Sequence, residues 1–291
     1  MMPEAIKEKK QVAGLSVIAA IFLTGFKLIV GLTTGSLGIL SEALHSGLDL
    51  IAAVITWFAV KISDSPADKD HQYGHGKIEN LSALIETILL LITCLWIVYE
   101  AVHRLTSGNA KIEVTIWSYI VIISSIIIDI TRSRALSRVA KKHNSQALEA
   151  DALHFSTDIW SSAVVLLGLI CANFGYYLAD SVAALGVAII VVYVSVKLGR
   201  RAVDALLDRA PLSLHNQIVN LLSKMQEIRS FHDLRLRTSG ADHFVDVTIH
   251  VDPDLSITQA HEVSHKVEEL IRSKISRCTV QVHYEPDEKE E

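Results

Sequence analysis

Six apolar stretches, at residues 12–32, 37–60, 78–102, 114–130, 147–172 and 178–198, constrain this chain more than any other feature. Each is near the ~20 residues that cross a bilayer as a helix, and lipid admits only helices or closed barrels. They predict six transmembrane helices. Half of the 291 residues are hydrophobic, which suits a membrane protein better than a soluble one. Residues 1–10 are polar and lack the apolar core of a signal peptide, so the first span is expected to direct insertion.

Lysine and arginine in the short connections orient the spans. Lys7, Lys9 and Lys10 precede the first, and Lys69 and Lys77 lie between the second and third. Arg132, Arg134, Arg138, Lys141 and Lys142 form an expected fourth-to-fifth loop, and Lys197, Arg200 and Arg201 follow the sixth span. The opposite connections carry little beyond Arg104 and Lys111, which predicts that both termini are cytoplasmic. Trp117, Tyr119, Tyr176 and Tyr177 fall at the expected outer ends, as interfacial aromatics do. The net charge of −5 gives no reason to expect nucleic-acid binding. Cys94, Cys171 and Cys278 have no CxxC spacing, so neither a disulfide framework nor a thiolate zinc site follows.

The second and fifth segments carry twin motifs, Ala43-Leu44-His45-Ser46-Gly47-Leu48-Asp49 and Ala152-Leu153-His154-Phe155-Ser156-Thr157-Asp158. Residues four apart in a helix share a face, so each motif aims one imidazole and one carboxylate at the same place. Ionisable groups at membrane depth are costly and mark ion paths. Two such helices facing each other supply two nitrogens and two oxygens, a set suited to tetrahedral Zn²⁺, and two carboxylates cancel the ion's charge. A single pair of this kind reads as a polar staple between helices; two identical pairs favour a metal site. Lys27, late in the first segment, is placed to snorkel or to pair. Asp129, near the end of the fourth, is expected to be solvated at the interface, with Arg132 three residues on.

From about Asp208 the pattern becomes that of a small α-β-β-α-β domain. Residues 214–225 have helical periodicity, and 232–237, 244–251 and 279–285 alternate as strands. Ser256 and Gln259 form a capping box for a helix reaching about residue 275. The expected division is a transmembrane domain at 1–207, a cytoplasmic α/β domain at 208–286 and an acidic tail at 287–291. Two further groups have metal-ligand chemistry. In the second-to-third loop, Asp68, His71 and His75 read equally as a three-ligand site or as a solvated polar loop. In the soluble domain, His283 and Glu285 share the face opposite Val280 and Val282, and His250 also faces away from its strand's valines. That suggests zinc at a surface or subunit interface. His215, His243 and His265 are assigned to solvent.

The stretches 35–49, 147–158, Tyr73-Gly-His-Gly-Lys77 and Val282-His-Tyr-Glu-Pro286 resemble the cation diffusion facilitator family, and its bacterial zinc/iron exporters in particular. The resemblance implies six transmembrane helices followed by a cytoplasmic αββαβ domain. It also implies assembly as a homodimer in the bacterial cell membrane, and export of divalent metal in exchange for protons. It assigns His45, Asp49, His154 and Asp158 to the transport site and Asp68, His71 and His75 to a loop site. A binuclear site in the soluble domain would use His232, His261, His283 and Glu285. Lys77 and Asp208 look like a charge pair locking two protomers near the membrane surface. Two departures stand out. Some bacterial members have Asp at the place of His45, and the His/Asp–His/Asp set is like that of zinc-preferring members. Thr248 stands where a ligand histidine is common, and His250 on the same face is a candidate replacement. The resulting expectation is a proton-coupled Zn²⁺ exporter with Zn²⁺ also regulatory, its metal and protons competing for the same atoms. The alternatives are the same fold moving Fe²⁺, Mn²⁺, Co²⁺ or Cd²⁺, or a metal-sensing scaffold that moves nothing. An intramembrane zinc hydrolase is disfavoured because no HExxH motif lies within the apolar spans.

Overall fold

The computed structural model describes residues 3–35, 37–107, 116–173 and 179–287. Lys111, Tyr176, Tyr177 and the tail beyond Asp287 lie outside the described residues, as does the side chain of Arg104. Six long helices come first: α1 (Pro3–Thr34), α2 (Leu37–Ser63), α3 (Lys77–Ser107), α4 (Ile116–His143), α5 (Gln146–Asn173) and α6 (Ala179–Leu206). Among the described residues three stretches, Glu4–Thr34, Glu42–Ser63 and Lys77–His103, are long and apolar enough to cross a membrane. The bundle's outside is strongly apolar, with Leu15, Phe22, Ile29, Leu95, Trp96 and Ile189 all well exposed. A water-soluble domain does not present so many large apolar side chains, whereas lipid solvates them.

Helices pair mainly as α1 with α2, α3 with α6, and α4 with α5. Small residues let them approach. Ala83, Ala150 and Ala202 join α3, α5 and α6 in one buried cluster, and a Cβ on Gly199 would come within 2.9 Å of the Thr87 methyl.

The basic stretch after Ile130 is not a loop. α4 continues through Arg132, Arg134, Arg138, Lys141 and Lys142 to His143, and only Asn144 and Ser145 separate it from α5. The reason is amphipathicity. Leu136, Val139 and Ala140, at helical spacing, pack into the cluster with Val12, Ala53, Leu148 and Phe155 while most of the cations lie outside.

The soluble part consists of α7 (Leu212–Leu222), β1 (Ser230–Ser239), β2 (Asp242–Val251), α8 (Ile257–Lys274) and β3 (Cys278–Pro286). The sheet order is β1-β2-β3. β1 and β2 are antiparallel, β2 and β3 parallel, and α8 supplies the crossover that a parallel pair requires. The alternation along β2 works as expected: Val245, Val247, Ile249 and Val251 are buried against Val263, Val267 and Ile271 of α8. The capping box at Ser256 and Gln259 is formed in both directions. The α2–α3 loop rests on the β1–β2 hairpin at very short range. A Cβ on Gly76 would fall 2.3 Å from the Ser239 carbonyl oxygen, and Gly240, at φ +59°, lies against Gly76.

Candidate metal centres

His45 and Asp49 on α2 meet His154 and Asp158 on α5. His154 Nε2 lies 3.0 Å from Asp49 Oδ1 and 3.6 Å from Asp158 Oδ2, and His45 Nε2 lies 3.6 Å from Asp158 Oδ1 and 4.0 Å from Asp49 Oδ1. Each imidazole thus faces both carboxylates, which the i,i+4 spacing on two facing helices produces. Asp49, His154 and Asp158 are all less than 10% exposed. His154 Nδ1 and Asp158 Oδ2 are buried without a hydrogen-bond partner. A cavity of about 30 Å³ opens here, lined by Lys27, Glu42, His45, Asp49, Asp129 and Asp158 among others. It has room for an ion or a water.

Asp129 is a correction. It is 5% exposed and lines this cavity rather than sitting in solvent at the interface. The last turns of the apolar run face α1 and α5, so burial follows the helix face rather than distance from the helix end. Arg132 Nη1 donates to Asp129 at 3.4 Å, its Nη2 donates to Ser16 at 3.1 Å, and its guanidinium stacks 3.5 Å from the Phe155 ring. Lys27 pairs rather than snorkels, donating to Ser46 Oγ at 2.8 Å and to Glu42 at 3.2 Å.

The α2–α3 loop brings its three residues together. Asp68 Oδ1 lies 3.3 Å from His71 Nδ1, and Asp68 Oδ2 lies 3.3 Å from His75 Nε2. The backbone N–H groups of His71 and Asp70 donate to Asp68 Oδ1 at 2.6 and 3.0 Å. The His71 N–H above all holds the Asp68 carboxyl below its ordinary range. Beside it a cavity of about 320 Å³ reaches the soluble domain, where Arg237 stacks on Tyr73 at 3.8 Å.

On the sheet, His250 Nε2 lies 3.0 Å from His232 Nδ1 and 3.9 Å from Glu285 Oε2. His250 and Glu285 are register partners across the parallel pair β2/β3. His283 adds a nitrogen 3.3 Å from Glu285 Oε1. Thr248 faces His232 across β1/β2 without supplying a nitrogen. His261 is elsewhere: on α8 its Nε2 lies 3.1 Å from His265 Nε2. His265, assigned to solvent on sequence grounds, therefore has an imidazole partner. Lys77 Nζ meets Asp208 Oδ1 at 3.0 Å within the same chain.

Comparison with known proteins gives this arrangement its context. The cation efflux transmembrane domain matches residues 14–207, and the cation efflux protein cytoplasmic domain matches residues 211–287. The chain belongs to the cation efflux, or cation diffusion facilitator, family. It is 29% identical to the cation-efflux pump FieF of Yersinia enterocolitica, covering 98% of this chain and 95% of that one. It is 32% identical to FieF of Shigella boydii, covering 87% and 84%. Its soluble part is similar to the solved C-terminal domain of MamM in a nickel form (30% identity, TM-score 0.26, covering 27% of this chain and 100% of that one). It is also similar to the metal-bound C-terminal domain of the CzcD transporter from Thermotoga maritima (26% identity, TM-score 0.25, covering 26% and 88%). The protein is thus an integral membrane cation efflux transporter and not an enzyme.

For a cation efflux protein, two groups that sequence reasoning passed over matter. Glu86 on α3 and Asp151 on α5 are almost fully buried. Glu86 accepts from Thr56 and from Ser82, the latter at 3.2 Å, and Asp151 accepts from Ser16 at 3.4 Å, yet Glu86 Oε2 and Asp151 Oδ1 have no partner. The signal was present, since each is a carboxylate inside an apolar run. At the bundle end, buried Lys9 bonds Asp64 at 2.6 Å and Glu79 at 3.0 Å, and Glu79 also accepts from Ser145 at 2.5 Å. From the sequence Lys9 reads only as one of the positive charges that orient the first span.

Proposed function

We propose that this chain is a Zn²⁺/H⁺ antiporter that removes zinc from the cytoplasm, with His45, Asp49, His154 and Asp158 as the transport site. The observation that carries this is the convergence of two imidazoles and two carboxylates between α2 and α5, with Asp49, His154 and Asp158 buried, His45 partly so, and His154 Nδ1 and Asp158 Oδ2 without hydrogen-bond partners. Two nitrogens and two oxygens suit Zn²⁺, and two carboxylates neutralise it. Metal-bound histidine must be neutral and carboxylates ionised, so protons displace the metal from the same atoms. Rocking of the bundle would expose the site alternately to the two sides.

In this reading α4, α5 and α6 cross the membrane as α1, α2 and α3 do. Residues 1–207 form the transmembrane domain, 208–286 form a cytoplasmic domain, and both termini are cytoplasmic. Asp68/His71/His75 and His232/His250/Glu285, with His283, bind zinc as regulatory sites. The functional unit is a homodimer in the cell membrane, with Lys77 and Asp208 at the membrane surface near its junction. Supporting the metal sites, each of those two clusters has ligand atoms within 4.8 Å of one another.

The test is flux in proteoliposomes with an imposed pH gradient and a panel of Zn²⁺, Cd²⁺, Mn²⁺, Fe²⁺ and Co²⁺. Zinc movement coupled to opposite proton movement is expected. Faster transport of another ion replaces zinc in the reading, and binding without flux removes transport from it.

A further inference from the structure

The cavity between α2 and α5 extends to one side of the four ligands only. Besides them it is lined by Lys27, Glu42, Asp129, Ser161 and Ser162. Glu42 precedes His45 by three residues on α2 and Ser161 follows Asp158 by three on α5, a step of about 4.5 Å along each helix. Both steps lead away from the α2–α3 loop, against which the soluble domain rests. Toward that domain the ligands are sealed. Asp151 and Phe155 are fully buried, and the Arg132 guanidinium covers the Phe155 ring at 3.5 Å. On the other side the side chains of His45 and Glu42 are 33% and 40% exposed. The site therefore opens away from the soluble domain, which the proposed topology makes the side of release.

Lys27 is fixed at this mouth. It is 3% exposed, and its Nζ donates to Ser46 Oγ at 2.8 Å and to Glu42 Oε2 at 3.2 Å. Ser46 directly follows His45, and Thr24, three residues before Lys27, donates to the Ser46 carbonyl at 2.9 Å. α1 is thus pinned to α2 beside the first ligand, and the ammonium cannot reach the helix end. Its charge acts on Asp129 and Asp158 as well as on Glu42. A buried lysine within an apolar run is costly and marks function. Placed beside a cation site in a low dielectric, its main effect is repulsion of the ion. Two imidazoles and two carboxylates alone would hold Zn²⁺ tightly and let it go slowly, whereas passage requires a hold weak enough to leave.

We propose that Lys27 is the release residue of the transport site: its fixed ammonium weakens the hold of the four ligands on a divalent cation and speeds departure of the ion toward the open side. The proposal rests on the reading of His45, Asp49, His154 and Asp158 as that site. Lys27 ligates nothing and acts through its charge. Glu42 has the opposite sign on the same cavity, so it attracts the ion and partly offsets Lys27. The two residues therefore pull metal affinity in opposite directions, although each contributes to the same contact between α1 and α2.

The experiment uses the full-length protein. The affinity of the Zn²⁺ that Asp158→Ala removes is measured by equilibrium dialysis in detergent, and Zn²⁺ turnover is measured in proteoliposomes. Lys27→Met keeps the apolar stem without the charge. It should bind that ion about ten-fold more tightly and turn over several-fold more slowly, a split that marks lost repulsion of the bound ion. Lys27→Arg should restore both values toward wild type. Glu42→Gln should act in reverse and bind about ten-fold more weakly. A lysine that only staples α1 to α2 would instead give weaker binding in Lys27→Met and in Glu42→Gln alike. The proposal is overturned if Lys27→Met binds no more tightly, if it binds more tightly but turns over as fast as wild type, or if Lys27→Arg behaves like Lys27→Met. Should Lys27→Met fail to fold by circular dichroism, Glu42→Gln decides, and unchanged or tighter binding there overturns the proposal. If Asp158→Ala removes no Zn²⁺, the transport-site reading itself fails, which none of the other outcomes implies.

Discussion

The cluster between α2 and α5 and the cluster on the β-sheet use the same two ligand types, imidazole and carboxylate, in opposite surroundings. His154 is 3% exposed and Asp49 and Asp158 only slightly more, whereas His232 is exposed and Glu285 and His250 are partly so. Water reaches His232 and Glu285 of the sheet cluster, and only His250 Nδ1 is buried there without a hydrogen-bond partner, so emptying it costs less. In the bundle an unsatisfied charge or polar atom costs several kcal/mol, and His154 Nδ1 and Asp158 Oδ2 already lack partners. The buried cluster must therefore hold either a cation or protons, while the exposed one can bind and release freely. In the proposed function, burial is what separates a site that exchanges occupants from a site that senses concentration.

The strongest test of that contrast removes a buried ligand. Asp158→Ala should reduce zinc flux in proteoliposomes to the liposome background while the protein remains folded by circular dichroism. Undiminished flux in the purified variant would place the transported ion elsewhere. Next in size is a change of stability rather than flux. Lys9→Ala leaves Asp64 and Glu79 buried without their shared cation. It should cost about 3–5 kcal/mol, read as a lowered thermal midpoint in detergent. A midpoint unchanged from wild type would mean that water reaches this end of the bundle.

His45→Asp keeps the buried site but makes it richer in carboxylate, which suits harder or larger ions. The Zn²⁺/Cd²⁺ flux ratio at one pH should fall on the order of ten-fold, about 1.4 kcal/mol. An unchanged ratio with flux retained assigns selectivity to helix packing. On the exposed side, His250→Ala should abolish zinc binding at the sheet but lower flux only by about five-fold, the low end of ordinary coupling between sites. Complete loss of flux would erase the distinction drawn between the clusters.

The smallest expected effect concerns pH. Burial holds His243 below the ordinary imidazole value, so the unfolded chain binds the extra proton first as pH falls. Stability from neutral His243 is present above about pH 6.5 and declines as pH drops below it. The wild-type soluble domain should melt earlier at pH 5.5 than at pH 8, and His243→Gln should reduce that difference. An equal pH dependence in the variant would assign the effect to other groups.

Much of this was legible in residues alone. The helical segments, the αββαβ order, the Ser256 capping box and the buried face of β2 follow from periodicity, because a period of 3.6 or 2 is a local property of the chain. The twin His-x-x-x-Asp motifs carried the candidate site for the same reason. The basic stretch from Arg132 to Lys142 was misjudged as a loop because counting cations hides a helix whose apolar face is only Leu136, Val139 and Ala140.

What sequence by itself determined was which residues share a face of a helix or strand. What only the tertiary structure decided was which faces meet. Asp129 became part of the cavity because α4 turns it toward α1 and α5, and His250 became the partner of His232 because the β1/β2 register brings them together. Glu86 and Asp151 became costly because neighbouring helices closed over them. His261 found His265 rather than the sheet because α8 presents both on its outer side. Local spacing fixes direction, but burial and pairing depend on contacts between elements far apart in the chain, and these no local pattern contains.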